Sequence, residues 1–81
     1  MTNAEKWKFF NFVDNSLNMK YRKVKADDIK RLLTKEPEFV ELVNSLVKRS
    51  GQPKNQVLRY MCRVRRMVLD GVTNLEGYFA Y

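Results

Sequence analysis

Between Pro37 and Gly51 the apolar residues Phe39, Leu42, Val43, Leu46 and Val47 recur at i, i+3, i+4, i+7 and i+8 without an omission. That spacing gathers all five side chains on one stripe of an α-helix, whereas the alternation of a strand would scatter them over two faces. Proline and glycine bracket the segment for complementary reasons. Proline lacks an N–H that the first helical turn leaves unused anyway, and glycine takes the left-handed conformation that ends a helix. A helix over 37–50 with one dry side needs neighbours to cover it, and the rest of the chain has to supply them.

The chain is 81 residues long, 44% hydrophobic and 31% charged. Globular composition at this length supports one core and leaves too little surface to bury in a second, so a single domain over 1–81 is expected. Its predicted class is all-α, a small bundle of four helices plus a short C-terminal helical turn. The first helix is predicted over 4–17, with Thr2 or Asn3 as N-cap and Glu5 where the helix dipole favours an anion. Trp7, Phe10, Val13 and Leu17 form its stripe, and Phe9 and Phe12 widen it beyond what one neighbour covers. Such a helix either packs across two others, as expected here, or keeps aromatic surface for a partner.

Residues 18–25 carry Lys20, Arg22, Lys23 and Lys25 without clean periodicity. They predict a connection that serves either as a phosphate-contacting basic arm or as a solvated loop. A second helix is predicted over 26–35, buried through Ile29, Leu32 and Leu33, with Asp27 and Asp28 at its positive end. A fourth opens at Pro53 and runs to Asp70, with Val57, Tyr60, Met61, Val64 and Val68 inward and Gly71 ending it. Leu58, Cys62 and Leu69 form an apolar shoulder that packs on the first helix or on a second copy of the chain in a homodimer. Beyond Gly71, Thr73 is expected to cap a last turn from which Leu75, Tyr78 and Phe79 fold back on the core.

Residue types argue against catalysis. The chain has no histidine, which removes the commonest general base and the commonest metal ligand together. One cysteine and scattered carboxylates assemble no zinc site, and the adjacent Asp27 and Asp28 point about 100° apart on a helix, too divergent to share a proton. Ser16, Ser45 and Ser50 lack a base to activate them, and the three glycines, Gly51, Gly71 and Gly77, form no phosphate loop. No enzyme, metal or cofactor is therefore expected. The lone Cys62 forms no internal disulfide and reads as packing on a helix flank, in keeping with a reducing compartment. No apolar run approaches the roughly 18–20 residues that cross a bilayer, and no basic stretch leads into an apolar signal core. A soluble cytoplasmic protein without an integral membrane segment is expected.

Net charge is +7, from 16 Lys and Arg against 9 Asp and Glu. Between residues 42 and 69 stand Lys48, Arg49, Lys54, Arg59, Arg63, Arg65 and Arg66, and no acid. A stretch of one sign this long favours a polyanionic partner: nucleic acid first, an acidic protein surface or an anionic membrane after it.

Within that stretch, Val47, Gly51 four positions on, and Val57 six beyond it, completed by Tyr60 and Met61, resemble the helix-turn-helix DNA-binding motif over segment 46–61. The spacing has a cause: the two valines must meet where the helices cross, and glycine lets the chain reverse in three or four residues. One position departs from the family. The residue after the glycine is usually apolar and buried beneath the turn, and here it is Gln52, followed by Pro53.

Taking about 100° per residue from Val57, the apolar residues of the fourth helix lie within about 60° of the core direction, while Asn55, Arg59, Arg63 and Arg66 cluster opposite. The resemblance implies a recognition helix. Asn55, Gln56 and Arg59 would read base edges, Arg63 and Arg66 would hold phosphates, and Lys48 and Lys54 would add backbone contacts near the turn. A second stretch, from the Leu32–Leu33 pair through Pro37 and Gly51 to Arg65, Arg66, Met67, Leu69 and Asp70, is similar to the helical segment preceding the catalytic domain of bacterial glycerol-3-phosphate acyltransferases. The HxxxxD signature of those enzymes is absent, so that similarity implies only a helical interaction or membrane-apposed module.

These features admit three functions. The first is a small basic DNA-binding protein of a regulator or mobile-element type, acting in transcription regulation. The second is an adaptor or inhibitor docking on an acidic protein surface. The third is peripheral membrane association through Trp7, Phe9, Phe10 and Phe12 with nearby lysines.

Overall fold

The computed structural model describes residues 1–71, and these form an all-α arrangement of four helices without a strand. Helix α1 spans Asn3–Asn11 and runs directly into a π-helical turn, Phe12–Ser16; α2 spans Ala26–Lys35, α3 Pro37–Ser50 and α4 Lys54–Leu69. The expected C-terminal turn with Thr73, Leu75, Tyr78 and Phe79 lies outside the described residues.

Each helix start has a local cause. Thr2 closes a capping box at the head of α1: its hydroxyl accepts the Glu5 N–H at 3.2 Å, and the Glu5 carboxylate accepts the Thr2 N–H at 2.9 Å. Burial pushes the Glu5 carboxyl up, but the hydrogen bonds from Arg49 and Thr2 outweigh it and hold the group below its ordinary range. At the head of α2, Asp28 accepts the Lys25 N–H at 2.9 Å and pairs with Arg31 at 2.8 Å. Asp28 is thus occupied in capping, as its place near the positive helix end suggested. Pro37 opens α3, Gly51 closes it at φ 68°, and Pro53 caps α4 in an extended conformation.

Helix α3 packs against α2 and α4, α1 lies on α4, and the π turn lies on α2. Phe39 ties the first helix into this arrangement. Its ring stacks on Phe9 at 5.9 Å and meets Phe12 edge-on at 5.7 Å, and it has no exposed surface. Among the described residues fourteen apolar side chains form one core, with Leu46, Val57, Met61 and Val64 joining α3 to α4.

Two expectations are corrected. The helix predicted over 4–17 is not α throughout: from Phe12 it widens to a π turn, which takes up one extra residue per turn and resets the phase of the residues after it. In that wide turn Val13 is buried, and the Ser16 hydroxyl donates to the Glu36 carboxylate at 2.7 Å, locking the turn to the α2–α3 junction. The stripe of α1 is also rotated, with Phe9 and Phe10 buried and Trp7 left 53% exposed. Trp7 stays at the edge of the buried face, its ring meeting Phe10 edge-on at 5.3 Å. Of the apolar shoulder of α4, Leu58 packs into the core shared with Phe9 and Phe10 of the first helix, in line with the first of the two expected placements. With Phe9 and Phe10 buried and Phe12 packed on them, α1 offers one exposed ring instead of the aromatic face that membrane association would require.

Candidate nucleic-acid interface

The hairpin of α3 and α4 is joined by Gly51, Gln52 and Pro53. Every residue from Gly51 to Gln56 is exposed, so the first turn of α4 stands clear of the core. Gln52 points to solvent where a helix-turn-helix would bury an apolar residue, and its N–H donates to the Ser50 hydroxyl at 3.1 Å. Val57 is fully buried, and Val47 is partly buried against the same core.

The outer face of α4 follows from its angular order: Val57, Met61 and Val64 turn inward, and Asn55, Arg59, Arg63 and Arg66 outward. These four are exposed, as are Lys54 and Gln56 on the first turn, which stands clear of the core all round. Lys48, near the end of α3, is exposed as well. Among the described residues no carboxylate forms an ion pair with Lys48, Lys54, Arg59 or Arg63. Arg66 lies 4.0 Å from Asp70, one turn on, with both side chains well exposed. Water screens such a pair, so the charge of Arg66 still faces outward.

Two cations counted in the basic stretch do not belong to this face. Arg49 pairs with Glu5 at 2.8 Å, joining α3 to the start of α1. Arg65 is 2% exposed. Its guanidinium donates to the carbonyl oxygens of Arg22 and Met19, lies 3.5 Å from Asp14 and sits over the Phe10 ring. The helical angle carried this signal. Arg65 lies about 80° from Val57, between Met61 and Leu58, on the buried flank.

The basic segment sits beside α4. Lys20, Arg22, Lys23 and Lys25 are all exposed, and the backbone that carries them is folded into a turn, with the Arg22 N–H donating to Met19 O at 3.0 Å. Lys23 and Lys25 share a cleft of about 330 Å³ with Arg63 and Arg66. Lys20 lies on the other side of the turn, in a cleft of about 290 Å³ that also holds Trp7, Tyr21 and Leu69.

Cys62, on the wall of the first cleft, is half-buried, and burial pushes its thiol up to about 11. It is protonated at neutral pH, as a packing residue should be. Among the described residues no three His, Cys, Asp or Glu side chains gather as they would around a metal ion, and no helix is long and apolar enough to cross a membrane. No family model, curated protein or solved structure matches the chain.

Proposed function

We propose that this protein is a small nucleic-acid-binding module without catalytic activity of its own, preferring DNA, that docks through the outer face of α4. The observation that carries the reading is the unshielded order of side chains along that face: Lys54, Asn55 and Gln56 on a protruding first turn, then Arg59, Arg63 and Arg66 at successive turns. Asparagine and glutamine present paired donor and acceptor groups suited to adenine, and arginine suits guanine or phosphate. A protruding N-terminal turn is the part of a recognition helix that meets base edges.

Retention of a labelled duplex on a gel, titrated at two salt concentrations, tests the reading. Binding is expected to weaken steeply with salt, with a log–log slope of about −3 if three or four phosphates are neutralised. The double variant Arg59→Glu, Arg63→Glu is expected to lose about a hundredfold in affinity with its helical circular dichroism unchanged. Absence of wild-type binding at low salt ends the proposal.

A second reading, docking on an acidic protein surface, draws on a different observation. Trp7, Tyr21 and Leu69, at 53%, 77% and 38% exposure, are the large exposed hydrophobics among the described residues, and all three line the cleft that holds Lys20. Exposed aromatics grouped in this way are a common feature of protein interfaces. Trp7→Ala with Tyr21→Ala separates the two: it leaves duplex binding intact under the first reading and removes partner binding under the second.

A further inference from the structure

The segment between the first two helices is built more firmly than a solvated connection requires. Asn18 and Tyr21 have φ of 55° and 64°. Asparagine tolerates the left-handed region, but tyrosine enters it only under constraint. The constraint comes from within the fold. Arg65 reaches from α4 and donates to the carbonyl oxygens of Met19 and Arg22, on either side of Tyr21. The Met19 N–H donates back to Val13 O at 3.2 Å, and the Lys25 N–H is held by Asp28. The turn is pinned at both ends and in the middle.

That pinning sets the position of two lysines. Lys23 and Lys25 from the turn and Arg63, Arg65 and Arg66 from α4 together line the cleft of about 330 Å³. No carboxylate among the described residues lines the cleft. Of the acids that follow along the chain, Asp27 is exposed at the head of α2 and does not line the cleft, Asp28 is engaged by Arg31 and by the Lys25 backbone, and Asp70 meets Arg66 only at 4.0 Å. Four exposed cations facing one concavity repel one another until an anion sits between them. Phosphate, with charge and acceptor oxygens on several sides, matches an opening lined by lysines of the turn and arginines of α4.

We propose that this cleft seats a backbone phosphate of the bound nucleic acid, gripped from the pinned turn and from α4 at once, and that Arg65 is a positioning residue for it. The inference rests on the nucleic-acid reading but concerns a different part of the surface from the protruding first turn of α4. It makes the connection part of the interface, and it turns a one-helix contact into a two-sided one.

Two measurements on the full chain test it. In the first, inorganic pyrophosphate is titrated into the isotopically labelled protein. Saturable amide shifts at residues 23–25 and 62–66 support the cleft, and shifts absent there, or spread evenly over all basic residues, overturn it. In the second, the salt dependence of duplex binding is compared between wild type and Lys23→Gln, Lys25→Gln. The slope is expected to become shallower by about one, the share of one phosphate. An unchanged slope in the variant overturns the inference and leaves the α4 reading standing. Loss of all wild-type duplex binding sinks that reading, and this inference with it. For the positioning role, Arg65→Met is expected to reduce the pyrophosphate shifts at 23–25 at least fivefold and Arg65→Lys to restore them in part. If Arg65→Met does not fold, the lysine variants still decide.

Discussion

Arg63 and Arg65 stand two positions apart on one helix and are put to opposite uses. One lies in water with its charge available. The other commits its hydrogen-bonding capacity to two backbone carbonyls, a carboxylate and an aromatic ring. Burying a guanidinium is costly unless its donors are used, and the Met19 and Arg22 carbonyl oxygens of the turn supply the acceptors. Cys62 shows how the same flank treats a weaker polar group. Its thiol is raised from an ordinary value of 9.0 to about 11, because burial disfavours the thiolate. Alkylation by iodoacetamide at pH 8 is therefore expected to run about a hundredfold slower in the folded protein than in denaturant. The same shift makes stability depend on pH in one direction. The thiol's contribution is fully present below pH 9.0 and declines as pH rises toward about 11. Cys62→Ala is expected to show less alkaline destabilisation than wild type by circular dichroism across that window.

At the scale of elements, the α3–α4 hairpin depends on Gly51. Nothing lies within 4 Å of where its Cβ would stand, so a side chain there meets no clash, but the φ of 68° still disfavours one. Gly51→Ala is expected to cost about 1 kcal/mol in urea unfolding, and Gly51→Asn less, since asparagine accepts the left-handed conformation. Helices α2, α3 and α4 were legible in the sequence because their punctuation is local. Pro37, Gly51 and Pro53 mark boundaries by backbone geometry, and the buried residues follow a period of 3.6. The first helix was legible only in outline. Its six apolar side chains fit several rotations, and contacts with Phe39 chose one, leaving Trp7 outside. The π turn has no sequence signature comparable to a proline or a glycine. The exposed face of α4 could be read by angle alone, as could the inward place of Arg65. Its hold on the turn at 19–22 could not, because that contact joins residues more than forty positions apart.

Across the described residues, the packed centre and the cationic face of α4 have separate duties. The aromatic centre made by Phe9, Phe12 and Phe39 holds the first helix to the third, and removal of the middle ring leaves a cavity between them. Phe39→Ala is expected to cost about 3–5 kcal/mol in a denaturant titration, a large share of the stability of a chain of 81 residues. Full helicity retained with an unchanged midpoint would show that the ring is not central. Away from that centre, the cationic side chains on the outer face of α4 have no packing duties and can be exchanged without loosening the interior. The wide turn at Phe12–Ser16 has a consequence of another kind. It acts as a dislocation in the rod, letting the upstream part lie along α4 while the downstream part seats against α2. A chain shortened by one residue there would regain a perfect spiral but fall out of step with both supports, so regularity and fit are alternatives at this point.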